Sequence, residues 1–347
     1  MVKNLCEYTG VIHVHTTASD GSGGIKDVVR AAKDSKVDFV IITDHNTLEH
    51  KKRGNEGWHG NVLVLVGEEI SPKKNHYLAF GIDKKIHVNG KCPDDYIREV
   101  ERQGGIGFIV HPYSKWKPSI PLLPARPWTD WRSNKWTGIE LWSYMFDWIE
   151  PVSLANIIYY YFNPEKAITG PSHAMFKLWD KVTAERQIVA IGGIDAHARS
   201  LTPFGLLQLF SYKRLFKTVR THIFTQKLTG ELNKDKDGIY DALRTGHCYI
   251  AYDLLSNSTG FRFGVKCNSD EFIMGDRMEL AGEAELFLIS PRDATLRIIR
   301  DGGIVREEMG NGLKMAIKEK GVYRGEAYLD NKPWVFTNPI YVEEGTI

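Results

Sequence analysis

Short apolar runs alternate with amphipathic helical patterns over roughly the first 250 residues of this chain, and this alternation most constrains its fold. The first run covers residues 9–14, a helical pattern begins at Ile25, and VDFVIIT (37–43) follows as a second strand. Five further runs have strand character: NVLVLVG (61–67), HYLAFG (76–81), GFIV (107–110), TGIELW (137–142) and QIVAIGG (187–193). Such alternation predicts βαβ units, and therefore an α/β domain with a parallel sheet or barrel.

The chain changes character near residue 255. Beyond it, apolar segments alternate with turn residues without a helical period, which predicts a small β-sandwich. These segments are FRFGV (261–265), AELFLIS (284–290), TLRIIRDGG (295–303), GVYRGEAYL (321–329) and PWVFTNPIYV (333–342). We therefore predict a barrel domain over residues 1–255 and an accessory domain over 256–347. Residues 112–136 combine five prolines with four tryptophans, which indicates an insertion.

Composition narrows the function classes. With 42% hydrophobic and 25% charged residues, the 347-residue chain can bury a core without covalent cross-links. Its net charge of +2 gives no reason to expect nucleic acid or a membrane surface as a partner. The four cysteines are far apart, and neither a signal peptide nor a membrane-spanning run is recognisable, so we expect a cytoplasmic protein.

Histidine and aspartate recur at a spacing of two residues near two strand ends. His13 and His15 lie in GVIHVHT, and Asp195 and His197 lie in GGIDAH. Residues two apart on a strand project from the same face, so each pair can direct two ligands at one ion. Other strands of the expected barrel also end in ligand residues, namely Asp44, His45, Glu68, Glu69 and His111. Because barrel enzymes build their sites at the C-terminal ends of strands, this predicts a metal site.

Six segments, in this order, resemble the motifs of the PHP (polymerase and histidinol phosphatase) superfamily. They are HVHTTASDG, ITDH, GEEIS, NHYLAFG, IVHPY and GIDAH, and they span roughly residues 9 to 200. The resemblance implies a distorted, TIM-like (β/α)7 barrel that holds two or three divalent transition metal ions. The segments after residue 255 are similar to the tail of the carbaryl-hydrolase-like metallohydrolases of this superfamily.

The resemblance also implies nine metal ligands. A first metal would be held by His13, His15, Glu69 and Asp195, a second by Glu69, His76 and His111, and a third by Asp20, His45 and His197. The family motifs select Glu69 over Glu68 and His45 over Asp44, since successive side chains of a strand point to opposite faces. Asp44 then becomes a carboxylate that orients a ligand. We expect Glu69, Asp20 and Asp195 to be the catalytic carboxylates.

The sequence context of the remaining candidate site residues is less specific. Glu140 ends a strand at a position that is not a ligand in the family, so support of the metal site and an ordinary structural role both stay open. Five histidines fit no motif and are expected at the surface or hydrogen-bonded: His50, His59, His87, His222 and His247. His173, at a predicted helix start, could overlook the cavity from the insertion, but we expect an ordinary structural role for it as well.

The ligand types indicate the chemistry. Imidazole and carboxylate without thiolate suit Zn, Mn or Fe. Two or three close ions would lower the pKa of a bridging water, so that hydroxide attacks and no protein nucleophile is needed. The excess positive charge of such a centre favours an anionic phosphate, and Arg199 and Lys115 could add to an anion site. Tryptophans of the insertion could supply an apolar wall.

We therefore expect a metal-dependent phosphoesterase that acts on a small phosphorylated molecule or a nucleotide. The alternative is a hydrolase of carboxylic esters, carbamates or amides that uses the same hydroxide. A noncatalytic metal-binding scaffold is the third hypothesis, but degeneration usually removes ligands and all nine are present. A nuclease ranks lower because the sequence has no basic stripe.

Overall fold

The computed structural model describes residues 5–113, 126–200, 208–280 and 282–344, which form a mixed α/β chain as predicted. The strands are β1 (Cys6–Val14), β2 (Phe39–Ile42), β3 (Gly57–His59), β4 (Val62–Val66), β5 (Glu68–Ile70), β6 (Tyr77–Phe80), β7 (Ile106–Ile109), β8 (Gly138–Ser143), β9 (Val189–Gly193), β10 (Arg199–Ser200), β11 (Gln208–Leu209), β12 (Val219–Thr225), β13 (Cys248–Tyr252), β14 (Arg262–Cys267), β15 (Asp270–Ile273), β16 (Arg277–Leu280), β17 (Ala284–Arg300), β18 (Gly303–Ile317), β19 (Gly321–Leu329), β20 (Lys332–Thr337) and β21 (Ile340–Glu344).

The helices are α1 (Ile25–Asp34), α2 (Glu49–Lys52), α3 (Pro93–Arg102), α4 (Tyr144–Ile149), α5 (Ile157–Phe162), α6 (His173–Glu185), α7 (Tyr212–Leu215) and α8 (Leu232–Thr245), and a 3-10 turn covers Pro164–Lys166. None of the helices in the described ranges combines the length and the apolar character needed to cross a membrane.

The described residues divide into two compact units, each built from separate stretches of the chain. The first unit lies within Thr9–Pro171 and Gly192–Arg220, and the second within Met1–Tyr8, Ser172–Ile191 and Thr221–Ile347. The boundary predicted at residue 255 falls within the second unit, where β13, before it, is hydrogen-bonded to β20, after it. This pairing joins residues about 90 positions apart, which a local sequence pattern does not reveal.

A parallel sheet of apolar strands forms part of the first unit. β1 pairs with β2 and β2 with β4 in parallel, and β3 adds to β4 in the antiparallel sense. All residues of β2 and β4 are buried, as is typical of parallel strands covered on both faces. Helix α1 buries Val28, Ala31 and Ala32, and its first turn is capped because the Asp27 carboxylate accepts the N–H of Gly24 at 3.0 Å.

The second sheet of this unit departs from the parallel order that the alternation predicts. β6 is antiparallel to both β5 and β7, whereas β7 and β8 are parallel. Residues 71–76 alone link β5 to β6, which is shorter than the crossover of about a dozen residues that parallel neighbours need. The closed (β/α)7 arrangement therefore stays a prediction.

The second unit is dominated by antiparallel pairing. β17 pairs with β14, β18 and β19, and β19 with β20. AELFLIS and the first six residues of TLRIIRDGG form one long strand, β17, with a register irregularity between Ile289 and Ala294, and Asp301 and Gly302 form the turn before β18. PWVFTNPIYV divides into β20 and β21. Its apolar core includes Phe261, Leu286 and Trp334. The β-sandwich stays a prediction.

Candidate metal centre

His13 lies at an irregularity of β1. The register with β2 shifts between Ile12 and Val14, and His13 has a left-handed backbone with φ of 69°. β1 ends at Val14, and the N–H of His15 donates to the carbonyl of Ala196 at 2.9 Å. The two imidazoles therefore reach one cluster through a bulge and a strand end, and not through the regular alternation that the HxH spacing suggests. Bulges commonly redirect side chains beside active sites.

Two further predicted ligands also have left-handed backbones. The φ angle is 33° at His111 and 48° at Asp195. This conformation is costly for residues other than glycine, and it persists where the surrounding structure over-determines it. Next to Asp195, the N–H of Ala196 donates to the carbonyl of His13 at 3.1 Å, which fixes the segment after β9 to β1.

The first predicted ligand group is brought together. Nε2 of His13 lies 3.3 Å from both Glu69 Oε2 and Asp195 Oδ1, and Nε2 of His15 lies 3.2 Å and 3.1 Å from the same two atoms. Both imidazole Nε2 atoms and Glu69 Oε2 are buried without a hydrogen bond of acceptable geometry. Buried polar atoms are rarely left in this state, and a cation shared by these atoms would satisfy them.

Glu69 links the first group to the second. Its other oxygen, Oε1, lies 2.7 Å from His76 Nδ1 and 3.5 Å from His111 Nε2. One carboxylate thus offers an oxygen to each of two adjacent cation sites. These are the three residues predicted for the second metal.

The third group contains the predicted Asp20, His45 and His197 and also His15. Oδ1 of Asp20 lies 3.0 Å from His197 Nε2 and 3.6 Å from His45 Nε2. The rings of His15 and His197 stack with centroids 4.1 Å apart. In each of the three groups the candidate ligand atoms lie within 4.8 Å of one another.

The second ring nitrogen of several of these histidines has a partner of its own. The partners are Glu140 Oε1 for His13 (2.7 Å), Ser71 Oγ for His45 (2.6 Å), the Pro72 carbonyl for His76 (2.9 Å) and the Asp195 carbonyl for His197 (3.0 Å). Such contacts fix the orientation of a metal-binding imidazole and determine which nitrogen keeps the proton.

The electrostatics of the cluster favour charged carboxylates. Burial would raise the pKa of Glu69, but His13 and the other surrounding imidazoles lower it well below its usual range. The pKa of Asp195 is lowered in the same way, chiefly by His13 and His197 against the effect of burial. Burial would lower the pKa of His13, yet Glu140, Asp195 and Glu69 raise it well above its usual range. The site is therefore arranged to hold positive charge among carboxylates.

Of the remaining sequence candidates, Arg199 contacts a member of the third group. Nη2 of Arg199 is 3.0 Å from Asp20 Oδ2, and the two side chains are 47% and 40% exposed. Glu68 is directed elsewhere, where its Oε2 accepts the N–H of Ile86 at 3.0 Å. Asp44 belongs to none of the three groups. Lys115 lies outside the described residues.

The histidines that fit no motif are not part of these groups. His50, His59, His222 and His247 have hydrogen-bond partners elsewhere, and His87 and His173 are exposed.

Three residues near the cluster are not among those predicted from the sequence, although Ser71 is the last residue of the GEEIS segment. Ser71 contacts His45, the ring of Phe146 stacks on His111 with centroids 4.2 Å apart, and the hydroxyl of Tyr212 donates to the carbonyl of His15 at 2.7 Å. Serine, phenylalanine and tyrosine are common in any fold, so only their position identifies them.

Comparisons with known proteins give distant similarities. No protein-family model matches the chain. The uncharacterized protein MJ1587 of Methanocaldococcus jannaschii is 29% identical over 118 residues, which cover 30% of this chain and 67% of that protein.

Among solved structures, the chain is similar to a two-domain protein of Bacteroides vulgatus that contains a predicted PHP-like metal-dependent phosphoesterase. The two chains are 15% identical, and the alignment covers 97% of this chain and 96% of that chain with a TM-score of 0.47. An amidohydrolase of Chromobacterium violaceum is 15% identical and covers 54% of this chain and 87% of its own, with a TM-score of 0.34. The chain resembles the PHP superfamily in its sequence motifs.

Proposed function

We propose that this chain is a metal-dependent phosphoesterase of the PHP superfamily that hydrolyses a small phosphorylated molecule or a nucleotide. The observation that carries the proposal is the continuity of the three ligand groups. Glu69 belongs to the first and second groups, and His15 belongs to the first and third. Shared ligands are what a multinuclear centre requires, whereas a single structural metal needs about four ligands of its own.

The donor set fits divalent transition metals. It consists of imidazole nitrogens and carboxylate oxygens, which suits Zn, Mn or Fe, and we propose that two or three such ions bind. When bound, these ions would supply a water-derived nucleophile near neutral pH and polarise the phosphoryl group. The chain's own residues then have to place the substrate and balance its charge.

Asp20 and Arg199 are the residues that favour an anionic substrate. They form an ion pair at 3.0 Å, and both are more than a third exposed, so water and a substrate can reach them. A phosphate that displaces the Asp20 carboxylate from the guanidinium would gain a bidentate partner, because Arg matches the geometry of phosphate oxygens. Asp20 would remain with His45 and His197 in the third group.

A turnover panel tests the proposal. Aryl phosphates, phosphodiesters, nucleotides and aryl esters are assayed after reconstitution with Zn, Mn or Fe, with bound metal determined by elemental analysis. We expect phosphatase activity that requires metal. Metal-dependent turnover of esters alone would favour the carboxylester, carbamate or amide hydrolase, and bound metal without any turnover would favour a noncatalytic scaffold.

Two neighbouring carboxylates provide a matched pair of variants for this test. Glu69→Gln should abolish metal binding and activity, because Glu69 belongs to two ligand groups. Glu68→Gln should retain both, since Glu68 is equally buried but directed at the N–H of Ile86. Equal loss in the two variants would show that general destabilisation accounts for the effect.

A further inference from the structure

Glu140 contacts one predicted metal ligand from behind. It is the third residue of β8, and its Oε1 lies 2.7 Å from Nδ1 of His13, with both side chains 0% exposed. The Nε2 atom of His13 instead faces Glu69 and Asp195, each at 3.3 Å. The two ring nitrogens point away from each other, so a group bonded to Nδ1 is not beside a cation at Nε2. Accordingly, Glu140 is in none of the three ligand groups.

The carboxylate of Glu140 occupies the space that a side chain at position 193 would fill, and this space is free because residue 193 is glycine. A Cβ atom at position 193 would lie 1.9 Å from Glu140 Oε1 and 3.2 Å from the Cβ of His13. Any side chain there would force the carboxylate away from the imidazole. Glycine at the end of β9 therefore permits a close approach between backbone and carboxylate.

Among the described residues Glu140 pairs with His13, whereas Glu69 and Asp195 also contact other imidazoles of the cluster. One buried imidazole faces the carboxylates of Glu140, Glu69 and Asp195. The second oxygen of Glu140, Oε2, is buried without a hydrogen-bond partner. Buried carboxylates are costly unless a positive charge compensates them. A divalent cation on the Nε2 side of the ring would provide that charge.

We propose that Glu140 is a positioning residue for metal binding, which holds His13 with the proton on Nδ1 and leaves Nε2 available to the metal. The inference rests on the metal-binding part of the proposed function. A carboxylate in this position fixes the ring and makes its other nitrogen a stronger donor. The bulged, left-handed backbone of His13 has no regular strand geometry to fix the ring, so the contact with Glu140 replaces it.

The first test is the zinc affinity of Glu140→Gln, measured by competition with a chromophoric chelator. Glutamine keeps the size of the side chain but removes its charge. We expect one equivalent of zinc to bind about 10- to 100-fold more weakly, while the wild-type protein binds it tightly. Glu326→Gln is the control, because Glu326 is also buried but hydrogen-bonds Arg324. It should lower stability without changing zinc affinity.

The second test examines the contact between positions 140 and 193. Gly193→Ala keeps the carboxylate but places a methyl group where Oε1 lies, so zinc affinity should fall as in Glu140→Gln. In a Glu140→Ala background the same methyl group meets no carboxylate, and the second substitution should cost little further affinity. This non-additivity is expected only when both substitutions disrupt one contact. Gly193→Ala also carries the test if Glu140→Gln does not fold.

Nuclear magnetic resonance of zinc-loaded protein with 15N-labelled histidine provides a readout that a structural role would not change. We expect His13 to carry its proton on Nδ1 and to lose the corresponding downfield proton signal in Glu140→Ala. Wild-type zinc affinity in a folded Glu140→Gln variant, or additive effects in the double variant, would overturn the role of Glu140 and leave the proposed function intact. Absence of zinc from the wild-type protein would overturn both.

Discussion

Oδ1 of Asp44 accepts the backbone N–H of Thr16 at 2.7 Å, and this contact fixes the turn that follows His15 and leads to Asp20. The same oxygen accepts the hydroxyl of Ser19 at 2.6 Å, and Oδ2 accepts the hydroxyl of Thr16 at 2.7 Å. Asp44 contributes to the candidate site through this turn and not as a ligand. The turn connects His15, which belongs to the first and third ligand groups, to Asp20 of the third group.

Asp44→Asn should therefore weaken the third group more than the other two. An amide nitrogen cannot accept the hydrogen bonds that one carboxylate oxygen accepts, so we expect a stability loss of about 1–3 kcal/mol. The metal content should fall selectively at the group that contains Asp20. Urea unfolding and elemental analysis measure the two effects. The control is Asp83→Asn, whose side chain is 87% exposed beside Lys51 and whose loss should change stability by less than about 1 kcal/mol.

Much of the candidate site could be predicted from the sequence, because its residues follow apolar strands and their types are unusual together. The positions of His45, Glu69 and His111 at strand ends predict that they are neighbours. The carboxylate Asp44 could also be expected to support a ligand. In the structure Asp44 supports the turn at Thr16. The hydrogen bonds that do so join residues 28 positions apart, which a local sequence pattern does not reveal.

The local geometry could not be predicted. The HxH spacing suggests a regular strand, whereas His13 has a left-handed backbone at a register shift of β1 and its carbonyl accepts the N–H of Ala196. The antiparallel direction of β6 likewise follows from the short link after Ile70, which the apolar pattern of the strand does not show. The periodicity of apolar residues indicates which residues are buried, but the pairing of strands that are distant in sequence determines the direction in which each strand runs.

Removal of metal should destabilise the protein. The three ligand groups contain nine different residues, which is more ligands than one ion can bind. We therefore expect at least two equivalents of transition metal in the reconstituted protein. Binding to the native state alone adds stability by mass action, about 4 kcal/mol for each ion at 1,000 times its Kd. Chelation should therefore lower the Tm. A single equivalent after reconstitution with the correct ion would contradict the multinuclear centre.

The environment of His222, in the second unit, predicts that the free energy of unfolding depends on pH independently of the metal site. Its Nδ1 is 3.0 Å from Glu7 and its Nε2 is 2.9 Å from Asp253, and the ring is fully buried. Burial would lower the pKa of His222, but Asp253 and Glu7 raise it to about 9. The native state therefore keeps a proton that the unfolded chain releases near pH 6.5. The stability that His222 contributes should be fully present below that pH and should be lost as the pH rises to about 9, by about 3 kcal/mol.

Urea unfolding in the presence of a chelator, at several pH values between about 6 and 10, measures this loss without interference from metal binding. In His222→Gln the side chain does not titrate, so the decline over this range should become smaller even though the variant is less stable overall. An identical decline in both proteins would assign the pH dependence to other groups.

Substitution of Asp20 tests whether the substrate is a phosphoester or a carbonyl compound. It lies in the third ligand group, 3.0 Å from both His197 and Arg199, at the exposed side of the cluster. A phosphate has enough anionic oxygens to use this region as well as the first two groups, whereas an ester carbonyl has one oxygen that develops charge. Asp20→Ala should lower phosphatase kcat/KM by about two orders of magnitude, as expected when a transition-state contact of about 3 kcal/mol is lost, and should affect ester hydrolysis much less.

The comparison has to be made on one preparation with its metal content measured, since loss of every ion would abolish both activities for a trivial reason. Asp27→Ala is a suitable control, because Asp27 is an exposed aspartate that caps α1 and belongs to no ligand group. It should cost about 1 kcal/mol of stability through the lost cap and leave both activities unchanged. If Asp20→Ala retains the first two ions and loses phosphatase and esterase activity equally, the third group has no particular role with phosphate. The charge argument for a phosphorylated substrate would then fail, and the ester, carbamate or amide hydrolase would become the better hypothesis.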